Sequence, residues 1–205
     1  MTATGDHTIS SSPALKSAPL QPRDWIQAAF VRLSNEGIES IRIELLARDL
    51  GVSKGSFYWH FQDRDELLAK LLERWEGDEM EWLNATVVTP RAAARWARFV
   101  EHCADPSLAR LESALRSWAR RDERVASRIQ VIEKRRVQHI ASVLRDTGFS
   151  PPLAESWAQI ALLVCLGWLD RATRDVEFQV NGRSLSESLS DLILAASDRS
   201  AEPMR

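Results

Sequence analysis

Cysteine is nearly absent from this sequence of 205 residues: only Cys103 and Cys165 occur. Two thiols so far apart supply neither a metal-ligand spacing nor a disulfide framework. Both fall in apolar helical stretches, where a free cysteine acts as a small buried hydrophobe. An excess of one charge is also missing. Lysine and arginine number 27 against 29 aspartates and glutamates, a net charge of −2, so no global basic field draws the chain to nucleic acid. Long hydrophobic runs are missing too. The longest nearly apolar one, Ile160 to Leu169, is about half a membrane span. The N-terminus lacks the cationic start and apolar run of a secretory signal. A soluble, cytoplasmic chain with no membrane partner is expected. Catalytic signatures are lacking as well: there is no metal-ligand cluster, no glycine-rich phosphate loop and no nucleophile–base pair at a telling spacing. An enzyme is therefore not expected, nor a metal or cofactor.

Prolines are kept out of helix interiors, and almost every break carries a helix start signal. Pro22, Pro90, Pro106 and Pro151 stand where a first helical turn tolerates proline. Asp63 with Glu66 three residues on reads as a capping box opening a long helix to about residue 86. Asp122 caps a helix running to about Thr147, and Gly37 ends the first helix. Apolar stripes recur at three and four residues: Trp25, Ala28, Ala29, Leu33; Leu68, Leu71, Leu72, Trp75; Val125, Ile129, Ile132. The reading is an all-α fold with nine helices, the last over 185–198. Val176 to Val180 alternates briefly, too short to build a sheet. Residues 1–20, rich in Ser, Thr, Ala and Pro and without a period, read as a disordered tail.

The sharpest segment runs from Ile43 to Phe61. It reads as a helix, a tight turn at Gly51-Val52-Ser53, and a short second helix over 54–60. Gly51 suits the left-handed residue that such a turn needs. Ser53 is placed to cap the second helix. Phe57 and Phe61, four apart, face inward. Lys54, Ser56, Tyr58, Trp59 and His60 are left on the other face, where Gly55 lets the backbone come close to a groove. A second helix laid in this way enters the DNA major groove. Arg42 and Arg64 flank the pair as phosphate contacts. The region 21–64 is electrically neutral. Arg23, Arg32, Arg42, Arg48, Lys54 and Arg64 are matched by Asp24, Glu36, Glu39, Glu44, Asp49 and Asp63. Affinity must then come from where a few cations sit.

Residues 23 to about 75 resemble the N-terminal domain of the TetR family of bacterial transcriptional regulators. Ala47, Leu50, Gly51, Val52, Ser53, Gly55, Phe57, Tyr58, Phe61, Glu66, Leu67 and Leu68 carry the resemblance. It implies an all-helical homodimer that lays two recognition helices in successive major grooves of double-stranded DNA. It also implies a C-terminal domain that binds a small-molecule effector and releases the DNA. By position it makes Ser53, Lys54, Ser56, Tyr58, Trp59 and His60 recognition contacts, and Arg42 and Arg64 phosphate contacts. One departure is Gln62, where the family often has lysine. The implied organisation is a helix-turn-helix domain over 21–66 and an effector-binding and dimerisation domain over 67–205. The alternative is the same DNA-binding fold without an effector, controlled by a protein partner or by abundance.

Beyond residue 75 the signals are broader. The helix from Leu153 to about Asp175 is apolar around most of its girth, which predicts burial on two sides and a dimer interface. Trp157, Leu162, Leu163, Leu166 and Leu169 are its expected contacts, with Leu189, Leu192 and Ile193 from the last helix. Eight tryptophans are many for this length. Trp82, Trp96, Trp118 and Trp168 are expected to line an effector pocket, with His102, Glu112, Arg116 and Gln159 as its polar groups. The run Glu133-Lys134-Arg135-Arg136 reads as a solvated helix face.

Overall fold

The computed structural model describes residues 20–174, except 90 and 104, together with Glu187 and Asp191. The expected tail over 1–20 (Leu20 apart), the Val176–Val180 run and the positions Leu189, Leu192 and Ile193 lie outside the described residues. So does nearly all of the ninth helix.

Eight α-helices form among the described residues: α1 (Pro22–Glu36), α2 (Ile43–Asp49), α3 (Lys54–Phe57), α4 (Arg64–Val87), α5 (Ala92–Cys103), α6 (Pro106–Ala119), α7 (Glu123–Asp146) and α8 (Pro151–Ala172). A single 3-10 turn, Ile38–Ser40, joins α1 to α2. The starts follow the capping signals. Asp63, Asp105 and Asp122 accept hydrogen bonds from the backbone amides of Glu66, Ser107 and Arg124 at 2.9, 2.8 and 3.0 Å. Glu66 reaches one residue further back than an ordinary capping box and accepts from the Gln62 amide at 2.7 Å.

Two apolar cores are stacked along α7. The first gathers Trp25, Leu33, Leu46, Phe57, Phe61, Leu67 and Leu71 with Leu115, Trp118, Val125, Ile129 and Ile132. The helix-turn-helix is thus packed continuously onto α4, α6 and the first half of α7. The second core joins Trp96, Phe99 and Val100 of α5 to Ile140, Val143 and Leu144 of α7 and to Ala158, Leu162 and Cys165 of α8. Cys103 and Cys165 are free, buried and hydrogen-bonded to one another; that contact, with burial, raises the Cys103 thiol well above its ordinary range.

On α7, Arg136 sits between Ile132 of the first core and Ile140 of the second, and it is buried. The expected solvated face over 133–136 is corrected here. Lys134 and Arg135 are exposed, Glu133 is half-buried, and Arg136 turns inward because one helical turn places it on the Ile129–Ile132 side. Its guanidinium bonds Glu79 of α4 at 2.7 Å and Glu112 of α6 at 2.6 Å. A buried charge persists only when paired in this way.

Helix α8 is long and apolar enough to cross a membrane, yet Ala154, Ala158, Ala161, Leu162, Cys165, Trp168 and Leu169 are buried in the protein. Leu162 and Leu169, expected at a dimer interface, are therefore core of this chain. The exposed face carries Ile160 and Leu163 instead, with Leu166 and Trp157 half-buried at its flanks.

Candidate nucleic-acid interface and the cleft behind it

The turn between α2 and α3 forms as its sequence dictates. Gly51 has φ of 67°, a conformation that suits glycine, and the Val52 amide returns to the Ala47 carbonyl at 2.9 Å. Ser53 has the extended backbone of a cap, but its hydroxyl makes no capping bond. Helix α3 ends at Phe57, shorter than the expected 54–60. Residues 58–60 continue as a turn, because the His60 and Phe61 amides converge on the Phe57 carbonyl at 2.9 and 3.0 Å.

Phe57 anchors this element. Its ring is fully buried, edge-on to Trp25 of α1 at 5.3 Å and stacked on Phe61 at 5.2 Å. The opposite face is open. Trp59 is 88% exposed and Tyr58 53% exposed, with Ser53, Lys54 and Gly55 exposed and Ser56 and His60 half-buried beside them. These expected contact positions are thus all exposed or half-buried. Arg42, at the start of α2, is exposed near them in sequence.

Two arginines differ from what the sequence suggests. Arg64 is half-buried and donates from Nε to the Ile41 carbonyl at 2.6 Å and from Nη2 to the Ile38 carbonyl at 2.9 Å. It ties the start of α4 to the 3-10 turn, so the expected phosphate contact is corrected to a structural clamp. Arg32 was not singled out, yet it grips Asp49 of α2 through Nε at 2.5 Å and Nη2 at 2.9 Å. The hydrogen bond from Arg32 holds the Asp49 carboxyl below its ordinary range. The signal was legible, since Arg32 falls three after Ala29 and seven after Trp25 on the buried stripe of α1.

Between α1, α4, α5 and α6 lies a cleft of about 330 Å³. Helix α1 contributes Gln27, Phe30 and Ser34; α4 contributes Trp75, Asp78 and Glu79. His102 of α5, Asp105, and Ser107, Leu108 and Leu111 of α6 complete it. Of the expected pocket residues, only His102 lines this cleft. Its ring stacks on Trp82 at 3.9 Å, and its Nε2 lies 3.4 Å from the Glu79 carboxylate. Trp96 and Trp168 are buried. Glu112 is bound by Arg136, and Arg116 bridges Glu112 and Glu133 at 3.2 and 2.7 Å. Trp118 lies in the first core and lines a separate hollow of about 140 Å³ beside Leu68 and Leu72. Gln159 is exposed on α8. Among the described residues, the expected pocket positions, from α4, α5, α6 and α8, are thus divided among the cores, this cleft, an ion cluster and the surface. His139 was missed. It is buried beside Trp82 at 6.3 Å, and neither ring nitrogen has a hydrogen-bond partner.

Residues 26–71 match the family model for bacterial regulatory proteins of the tetR family. The N-terminal helix-turn-helix region is thus a TetR-family domain. It is 35% identical over 81 residues to the class A tetracycline repressor protein from transposon 1721 of Escherichia coli, a match covering 40% of this chain and 35% of that protein. It is 34% identical over 55 residues to an HTH-type transcriptional repressor of Mycobacterium tuberculosis, covering 27% of this chain and 21% of that one. The chain thus spans about a third or less of the length of these curated relatives. The TetR fold extends over the rest. A transcriptional regulator from Rhodococcus aligns with a TM-score of 0.68 at 20% identity, covering 90% of this chain and all (100%) of that one. A regulator from Saccharomonospora viridis, solved with choline, aligns at 0.71 and 18% identity, covering 84% and 94%. Bacillus subtilis FadR, solved with stearoyl-CoA, aligns at 0.57 and 17%, covering 82% and 97%.

Proposed function

We propose that this TetR-family protein is a cytoplasmic one-component transcriptional repressor. It binds a palindromic operator in double-stranded DNA as a homodimer and is released by a small effector with an apolar or aromatic body. The observation that carries the reading is the division of residues at the turn. Phe57 and Phe61 are locked into the core, while Ser53, Lys54, Gly55, Ser56, Tyr58, Trp59 and His60 around them are exposed or half-buried. A rigid element with one polar, aromatic-tipped face open to solvent suits major-groove docking. The names of the matched repressors favour the same direction of control.

The reading head occupies 21–66, and residues 67–205 serve effector binding and dimerisation. The α8 face carrying Leu163, 67% exposed, and Ile160, 46% exposed, is the proposed seam between protomers. Pairing matters because the neutral reading head has too little charge for high affinity alone. The neighbours solved with choline and with stearoyl-CoA support a ligand in this fold.

The test is selection of an operator from random duplex DNA, followed by anisotropy titration at fixed salt and light scattering of the complex. Enrichment of an inverted repeat bound by two protomers is expected. Failure to enrich any sequence would overturn the assignment.

A further inference from the structure

We propose that the cleft between α1, α4, α5 and α6 binds an organic cation with an aromatic or alkyl body, and that this is the effector site. The inference rests on the reading above that the chain answers to a small effector, and it adds the effector's charge and place.

The first argument is charge. Asp78, Glu79 and Asp105 line the cleft, and among its described lining residues there is no lysine or arginine. Glu79 is only 4% exposed and shares Arg136 with Glu112. Arg116 is divided in turn between Glu112 and Glu133. Arg74 pairs with Asp78 at the surface. Leaving His102 aside, five carboxylates thus meet three guanidiniums around the cleft. Two of the lining carboxylates are held ionised. Burial would raise the Glu79 carboxyl, but His102 and Arg136 more than offset it; the Ser107 hydroxyl and amide keep Asp105 low. An anionic ligand would meet like charge here, and a cation would complete the balance.

The second argument is shape and surface. The volume suits a small ligand. Trp75 and Phe30 supply π-systems, whose negative faces attract a cation, and Leu108 and Leu111 supply apolar wall. Trp75 is 3% exposed, and its indole Nε1 has no hydrogen-bond partner.

The third argument is position. Phe30 and Gln27 belong to α1, the helix whose Trp25 carries Phe57 and whose Arg32 holds Asp49. An occupant bridging α1 to α6 presses on the helix that seats the reading head. Coupling requires only that the cation prefer one placement of α1 over the other.

The experiment uses the full chain and benzyltrimethylammonium, with neutral benzyl alcohol and anionic benzoate as comparisons, in isothermal titration calorimetry. One-to-one binding of the cation with Kd below about 1 mM is expected, at least about tenfold tighter than either comparison. Phe30→Leu and Asp105→Asn, which keeps a capping oxygen, should each weaken it about fivefold or more. Retained thermal melting confirms the fold, and Asp78→Asn replaces Asp105→Asn if that variant does not fold. Equal affinity for cation and alcohol, no saturable binding, or binding untouched by these substitutions would overturn the site. Operator affinity with and without the cation is measured separately. A fall supports the coupling; no change keeps the cation site and overturns its role as effector site. Loss of cation binding in a chain that still selects an operator overturns this inference and leaves the DNA-binding reading standing.

Discussion

Lys54, the first residue of α3, is ion-paired with Glu44 of α2 across the helix-turn-helix. The lysine proposed to meet DNA is thus held by a carboxylate of the same helix-turn-helix. The hydrogen bond that Lys54 donates to Glu44 raises the Lys54 amine above its ordinary range and lowers the Glu44 carboxyl in turn. Both are exposed, so the pair is weak and salt-screened.

Substituting Glu44→Gln removes a negative charge from the DNA-facing side and frees Lys54. Operator affinity should rise about threefold to tenfold at low salt, with a smaller gain as salt rises. Lys54→Ala should lower it and flatten the salt dependence by about one phosphate contact. Anisotropy titration over a salt series checks both; a Glu44→Gln chain binding more weakly would show that Glu44 itself meets the DNA.

Arg64→Ala should act on stability before it acts on DNA. It leaves the Ile38 and Ile41 carbonyls without their shared donor. A loss of about 1–3 kcal/mol is expected, measured by urea denaturation. Arg64→Lys should recover little, because one ammonium lacks the guanidinium's fork. Unchanged stability would return Arg64 to the phosphate contacts.

Leu163→Asp and Leu162→Asp separate seam from core. Leu163 is 67% exposed and Leu162 6% exposed, though adjacent. The first should yield a folded monomer in light scattering, with the melting of the isolated protomer preserved. The second should unfold the chain, because it buries a carboxylate among apolar neighbours. A Leu163→Asp dimer would move the interface elsewhere.

Arg136→Met should cost about 3–5 kcal/mol, since it removes the guanidinium shared by buried Glu79 and Glu112 and leaves them only His102 and Arg116. Adding Glu79→Gln and Glu112→Gln should restore much of the loss. Chemical denaturation of the single and triple variants checks this. A triple variant no better than Arg136→Met would mean that packing, rather than stranded charge, sets the cost.

Acid should destabilise the protein in two steps. Burial and the field of Arg95 lower His139 from its ordinary value of 6.5, so the unfolded chain takes up that proton first. Its contribution is complete above about pH 6.5 and shrinks as pH falls below that. Glu79 is held below its ordinary 4.5, so its contribution is complete above that value and is lost at lower pH. Thermal melts between about pH 7.5 and 3.5 should show both losses, and His139→Phe should remove the upper one. A His139→Phe profile identical to that of the parent would show that the imidazole does not contribute.

The sequence alone determined the helical architecture, the turn at Gly51 and the inward placing of Phe57 and Phe61. These follow from local signals: a capping aspartate, a glycine at a left-handed position, apolar spacing of three and four. Such signals are read within one or two helical turns, so Trp25, Phe57 and Phe61 could be called core without coordinates. Tertiary structure decided what the long side chains do. Arg64 and Arg136 look like surface cations in a sequence. They became a clamp and a buried ion centre because partners 23 and 57 residues away were brought to them. The same holds for the tryptophans. Composition shows that there are eight, but whether an indole fills a core or borders a cleft depends on which helix is packed opposite. That is a long-range choice, fixed by the crossing of α1, α4 and α6 and written in no single stretch of chain.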